Sequence, residues 1–369
     1  MSNQLKLDRG ACVAKRAPVD LSFEPGSKDS TDALESLIEE YGRTGRAAHW
    51  PVPSSLQSSI LMGYRNSFIQ TLAKKSVPEI LESYIYVSVA DMKRLLALSS
   101  KYLLTEPLRG VGLELGGGSG LLASVVASRP EVRAVLIVEL CERAVDLLIP
   151  KVSSWVLGEE AKKVVPVVGT FDDLQLPSNS IDFAVEIDSF HHSDNLEVTF
   201  SECARVLKPG GRLLCFDRIW PDSHPDHDLE KLRARLFPSE FLVAHGYPPD
   251  LVLSRREFGE HEYKLFEWRA AADAAGFELV RICKFWQGVP LRLALKGALS
   301  VLPASLRRMM YKTDNATLKT SRLWLAQQLK KAALIGQPAK SLAALHQWPQ
   351  QNLFAPRETT AFLLRKRLH

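Results

Sequence analysis

The run Glu114-Leu-Gly116-Gly-Gly118-Ser-Gly120 places an acid two positions before three glycines at alternate positions. Glycines spaced this way let a backbone turn tightly and bring its N–H groups close to a ligand, and the start of a following helix favours polar ligand groups. The spacing is G-x-G-x-G rather than the G-x-G-x-x-G of a dinucleotide-binding loop. Further on, Glu139 ends the aliphatic run Val132–Glu139. An ionised carboxylate there offers two acceptor oxygens. Asp188-Ser-Phe-His191-His192 follows another apolar run, and a histidine titrating near neutrality can act as a general base. Asp222-Ser-His224-Pro-Asp226-His227-Asp228 gathers histidines and carboxylates that would suit a divalent ion. A solvated loop opening a helix explains the same residues with fewer assumptions, so no metal ligand is assigned.

Positioning these groups requires a strand before each and a helix after it. From Arg109 to Arg218 the runs Val111–Leu115, Val132–Glu139, Val164–Val168, Ile181–Ile187 and Arg212–Asp217 alternate with helical patterns at Leu121–Ser128, Glu142–Leu148 and Leu196–Leu207. This texture predicts βαβ units, a parallel sheet covered on both faces, and a ligand at the carboxyl ends of the strands. Ahead of it the spacing predicts a helix over Asp32–Tyr41, a loop over Ala47–Ser59 holding Pro51 and Pro53, and helical pieces from Ser76 to Leu104. After it come a helix near Glu262–Ala275, a strand at Phe277–Phe285, a basic Leu-rich helical stretch, and a closing strand within Thr359–Leu368.

At the glycine run the chain resembles the class I S-adenosylmethionine-dependent methyltransferases, whose E/D-x-G-x-G-x-G follows the first strand of the domain. The resemblance spans Arg109 to Arg218. It implies that Glu114, Gly116, Gly118 and Gly120 belong to the cofactor site and that Glu139 accepts hydrogen bonds from both ribose hydroxyls. Gly169-Thr-Phe-Asp-Asp-Leu-Gln-Leu-Pro is similar to a family stretch that places Phe171 against the adenine. Thr170 stands where many members have an Asp, which leaves Asp172 either to take over the adenine contact or to face water. Asp188-Ser-Phe-His191-His192 resembles the family's L-H-H pattern. It implies Asp188 near the cofactor's amino acid end and His191 or His192 as the catalytic base. Ala204-Arg-Val-Leu-Lys-Pro-Gly-Gly matches the stretch before the fifth strand and bears mainly on fold.

The implied fold is α/β: a doubly wound, Rossmann-like, mainly parallel seven-stranded sheet with helices on both faces. The implied division is a tail at 1–28, an N-terminal helical cap at 29–104, a Rossmann-like methyltransferase domain at 105–285, a basic insertion or lid at 286–356, and the last strand at 357–369. The implied activity is methyl transfer from S-adenosylmethionine to a small-molecule acceptor, lipid-like, quinone, sugar or secondary metabolite, at oxygen or carbon. The alternatives are a non-catalytic S-adenosylmethionine-binding module and a protein or RNA methyltransferase.

Composition sets the surroundings. With 369 residues, 46% of them hydrophobic and 24% charged, the chain is of ordinary globular type and long enough for a sizeable core. Five isolated cysteines argue against a disulfide framework or a cysteine-built zinc site. No apolar run suggests export or membrane crossing, so the expected compartment is the cytoplasm. Arg281 to His369 carries 16 basic residues against Asp314 and Glu358, a balance of 16 − 2 = +14, within a chain of net charge +5. That asymmetry suggests peripheral contact of 286–356 with an anionic membrane or an acidic partner. No signature supports nucleic acid.

Overall fold

The computed structural model describes residues 30–57, 59–85, 87–286 and 358–368. The tail expected at 1–28 lies outside them. So does the basic insertion expected at 286–356, apart from Trp286.

In chain order the elements are α1 (Ser30–Thr44), β1 (Ala48–His49), α2 (Ser54–Gln57), α3 (Ile60–Leu72), α4 (Val77–Ile80), α5 (Val89–Tyr102), β2 (Gly110–Leu115), α6 (Leu121–Ala127), β3 (Val132–Glu139), α7 (Ile149–Leu157), β4 (Val164–Val168), β5 (Ile181–Ile187), α8 (Leu196–Val206), β6 (Leu207–Asp217), α9 (Asp226–Arg233), α10 (Ser239–Ala244), α11 (Leu265–Ala274), β7 (Phe277–Trp286) and β8 (Glu358–Lys366). The strands lie side by side in the order β1-β4-β3-β2-β5-β6-β8-β7. β8 runs antiparallel to both of its neighbours, and the other described pairings are parallel.

The sheet therefore has eight strands where seven were expected. The eighth, β1, is two residues long and pairs with the end of β4 through Ala48 and His49, and Trp50 N–H continues the ladder by donating to Val168 O at 2.8 Å. Two residues ahead of Pro51 carry no periodicity, so the segment reads as loop. Helix α2 falls in the stretch expected to be loop, and helix α3, Ile60–Leu72, falls where nothing was assigned. Ser59 caps it, its hydroxyl accepting from Met62 N–H.

The central strands are aliphatic along their whole length because both of their faces are covered. Alternate residues of each strand enter different cores. Leu113, Leu115, Leu136, Val138, Val165 and Val167 pack with Leu34 and Tyr41 of α1, Phe200 of α8 and Trp268 of α11. Val135, Ile137, Phe183 and Val185 pack on the opposite face with Met92, Leu95 and Leu96 of α5, with α6, and with Ile149 and Val152 of α7. Elements of segment 29–104 thus serve both faces, and α3 joins a third cluster at the end of β3 through Ile69 and Leu72. Gly112 is required in β2, since a Cβ there would come within 2.3 Å of the Phe183 ring.

Trp268 is fully buried, stacked 6.2 Å from Phe190 and edge-on to Phe200 and Phe362. Trp268→Ala should lower stability by about 3–5 kcal/mol in urea unfolding, the usual cost of such a cavity. Val198→Ala on the exposed side of α8 should change it by less than about 0.5 kcal/mol.

Candidate active site

The chemistry-bearing residues meet at the carboxyl ends of β2, β3, β4, β5 and β6. β2 delivers the chain into the bend Gly116–Gly120, where Gly116, Gly118 and Gly120 all have positive φ (75°, 51° and 77°). L side chains rarely adopt that conformation. A Cβ on Gly116 would strike Ser189 Cβ at 2.4 Å, whereas one on Gly118 would meet nothing within 4 Å. The loop is packed from below at Gly116 and open at Gly118, as a cradle for a ligand must be.

Glu139, at the end of β3, faces this bend. Its Oε2 accepts from Gly118 N–H at 2.9 Å and its Oε1 from Cys141 N–H at 2.8 Å. The carboxylate is buried, so these bonds offset the cost of removing a charge from water. Glu114 has a different place. It lies wholly buried beneath the bend, where its Oε2 accepts from Ala123 N–H of α6 at 2.8 Å. Burial pushes its carboxyl up to about 8. The glutamate holds strand, bend and helix together from below.

Phe171 follows β4. Its ring edge lies 3.8 Å from where a Gly116 Cβ would sit, and its ring centre is 5.7 Å from that of Phe190. The Asp172 carboxylate accepts from the Thr199 hydroxyl of α8, and burial raises its pKa. Its backbone N–H donates to Thr170 Oγ1 at 3.3 Å. The threonine found in place of the usual Asp thus shapes the turn that carries Asp172. Asp188 follows β5 with φ +50°, a strained conformation for a non-glycine residue and a mark of functional sites.

His191 is buried. Its Nδ1 lies 2.7 Å from Asp217 Oδ1, and its backbone N–H donates to Asp217 Oδ2 at 3.1 Å. Burial first and Arg218 second lower its pKa to about 3, so at neutral pH the ring is uncharged and donates Nδ1–H to Asp217. Its Nε2 then keeps a lone pair, 3.8 Å from Glu260 Oε2. Burial raises the Asp217 carboxyl, opposed by Arg218.

His192 keeps an exposed edge, yet surrounding protein first and His191 second lower its pKa as well. Its Nδ1 donates to Gly259 O at 2.9 Å.

Glu260 was not apparent in the sequence. It lies in the loop before α11, held ionised against the cost of burial by Arg218 and by Arg255. Arg255 also pairs with buried Glu262 at 2.5 Å, and Trp220 Nε1–H donates to Glu262 at 2.6 Å. A loop with no periodic pattern offers no signal that its acid turns inward.

Two groups of ligand-type atoms occur among the described residues, His191/His192/Glu260 and Asp188/His191/Asp217. Asp217 accepts hydrogen bonds from His191, and Glu260 is paired with the two guanidinium groups of Arg218 and Arg255. In the Asp222–Asp228 loop, Asp222 caps α11 through Phe266 N–H at 2.7 Å and Asp226 pairs with Lys264 at 2.5 Å.

Residues 113–215 match the family model described as a methyltransferase domain. The chain is 32% identical over 114 residues to sterol 24-C-methyltransferase ERG6B of Gibberella zeae, covering 31% of this chain and 26% of that protein. It is 28% identical over 154 residues to squalene methyltransferase 1 of Botryococcus braunii, covering 38% and 36%. It thus spans about a third or less of the length of these curated relatives. Among solved structures it is similar to a putative sarcosine dimethylglycine methyltransferase from Galdieria sulphuraria, with 18% identity, 76% of this chain and 85% of that one covered, and a TM-score of 0.42. The bend and the strand-end acid both lie within the residues that match the methyltransferase-domain model.

Gly118→Val should abolish cofactor binding in calorimetry while the melting curve stays close to wild type apart from backbone strain. Glu139→Ala should weaken binding by about 1.5–3 kcal/mol, the worth of hydrogen bonds to a charged group. His191 gives a pH signature. Its folded pKa lies below its unfolded value, so its contribution to stability is complete above about pH 6.5 and is lost as pH falls toward about 3, by up to about 1.4 kcal/mol per unit. His191→Asn should flatten the decline in stability between pH 6.5 and 4.5, measured by urea unfolding at each pH.

Proposed function

We propose that the protein is an enzyme that transfers the methyl group of S-adenosylmethionine to carbon in an apolar, unsaturated small molecule. Gly116, Gly118, Gly120, Glu139, Phe171, Asp172 and Asp188 line the cofactor site, and His191 is the base. The observation that carries this reading is the aromatic cluster beside the His191–His192 pair, whose ring centres are 4.2 Å apart. Phe237, Tyr247 and Phe258 cluster with Phe241 and with Tyr64 of α3, and the Phe258 ring centre is 6.3 Å from that of His192. The names of the relatives, sterol and squalene methyltransferases, point the same way.

S-adenosylmethionine supplies an electrophilic methyl on a good leaving group. The chain must hold the acceptor in line and exclude water. In transfer to a double bond, the π electrons form the new C–C bond while the C–S bond breaks, which leaves a cation on the acceptor. Aromatic faces in the cluster stabilise such a cation. His191 Nε2 takes the proton that restores neutrality, with Asp217 accepting from Nδ1–H and stabilising the charged ring.

A base whose conjugate acid has a pKa of about 3 is poorly matched to an alcohol at neutral pH. It is well matched to a carbocation's neighbouring C–H, which is a strong acid. The lowered pKa of His191 therefore supports carbon over oxygen. Buried free thiols at Cys141, Cys203 and Cys215 accord with a cytoplasmic setting, and among the described residues no helix is long and apolar enough to cross a membrane.

Incubation with isotope-labelled S-adenosylmethionine and separate panels of isoprenoid alkenes, sterols and phenols tests the reading. Label in an alkene or sterol carbon supports it, and label in phenol oxygen overturns the choice of carbon. Cofactor binding with no label transferred to any panel or to a cell extract would make the chain a binding module. His191→Asn should lower turnover by about a hundredfold or more and leave cofactor affinity within about twofold.

A further inference from the structure

Helix α3 brings a cation to the acid at the end of β3. Arg65 Nη2 lies 3.7 Å from Glu139 Oε1, within ion-pair range but beyond a hydrogen bond. The same nitrogen donates to the Tyr84 hydroxyl at 3.2 Å. Arg65 Nε is buried and has no hydrogen-bond partner, although 35% of the side chain as a whole is accessible. A guanidinium carries five donors in a rigid fork. Here it is steered by Tyr84, stops just short of the carboxylate, and keeps donating capacity unspent. The neighbouring Asn66 Oδ1 accepts from Cys141 Sγ at 3.2 Å, which fixes this turn of α3 against the residues that follow Glu139.

We propose that Arg65 is a cofactor-binding residue that reads the ribose diol jointly with Glu139. The inference rests on the cofactor site described above. A hydroxyl can donate to a carboxylate and accept from a cation at the same time. An oxygen bound by Glu139 at hydrogen-bond distance lies within reach of a guanidinium 3.7 Å from that carboxylate. Glu139 takes the hydroxyl protons, and Arg65 donates to the lone pairs of the same oxygens. A charged pair straddling a diol discriminates against analogues that lack a hydroxyl, because each missing oxygen leaves both partners unsatisfied. Lysine could supply the charge but not the planar fork.

The test is calorimetric titration of S-adenosylhomocysteine and its 2′-deoxy and 3′-deoxy analogues into the wild type, Arg65→Met, Arg65→Lys and Glu139→Ala. Arg65→Met should weaken S-adenosylhomocysteine about tenfold to a hundredfold. The same substitution should cost less than about threefold with at least one deoxy analogue, since the oxygen it contacts is already gone. Arg65→Lys should fall between wild type and Arg65→Met. Equal losses with all three ligands would assign Arg65 a structural role only, and unchanged affinity would remove it from the site; either result overturns the proposal. If Arg65→Met does not fold, judged by circular dichroism, Arg65→Lys carries the same comparison. Failure of Glu139→Ala to weaken binding would strike the cofactor site itself, whereas a loss there with none at Arg65 would strike this inference alone.

Discussion

One buried carboxylate sets the geometry of the sheet edge. Glu139 lies out of bulk water, and its two oxygens are held by N–H groups from two directions, the glycine bend after β2 and the turn after β3. An unpaired charge in that position would be costly, so bend and strand end stay together as long as the domain is folded. The pairing depends on register. β2 and β3 align Leu115 with Val138, which brings Gly116–Gly120 level with Glu139. A slip of one residue would turn Glu139 to the other face of the sheet and mix the two cores. The aliphatic strands are thus what fixes a polar contact beyond their ends.

A second buried group, the Asp217–His191–Glu260–Arg218 cluster, ties the far side of the edge together. Asp217 ends β6 and His191 follows β5. Glu260 arrives from the loop before α11, and His261 N–H donates to His191 O at 2.9 Å. The loop is anchored by ion pairs of low exposure and by apolar packing of Leu253, Phe258 and Tyr263. Arg218 does two jobs here. It holds Glu260 ionised and, together with burial, it disfavours charge on His191. Its own pKa is raised, the acids around it outweighing burial. The histidine's chemistry is therefore set by residues more than twenty positions away in sequence.

The strands were legible because sheets covered on both faces need unbroken aliphatic runs, and Val132–Glu139, Val164–Val168 and Ile181–Ile187 begin and end where the runs do. The glycine bend and Glu139 were legible because their spacing expresses a backbone requirement. Helix α3 was not. Its sequence mixes Gly63, Asn66 and Ser67 with apolar residues on more than one side, because it buries two faces against different partners. The pairing of Glu260 with two arginines depends on tertiary placement with no periodicity to announce it. The near-neutral titration expected of His191 was overturned for the same reason, since a pKa belongs to the burial of the ring and not to its residue type.

That double burial makes α3 the element that touches both the aromatic cluster and the end of β3. Leu61, Tyr64 and Phe68 share one stripe at helical spacing. The Tyr64 ring is 6.0 Å from that of Tyr247, and Phe68 is 6.3 Å from the ring of His245. Gly246 is glycine where a Cβ would come within 2.4 Å of Phe68. Arg65, Ile69 and Leu72 form the adjacent stripe, turned toward Glu139 and toward Cys141, Ala144 and Leu148. A helix transmits displacement as a rigid body, because sliding one stripe requires moving the other. The Tyr64–Tyr247 contact and the Arg65–Glu139 ion pair are therefore carried by one helix.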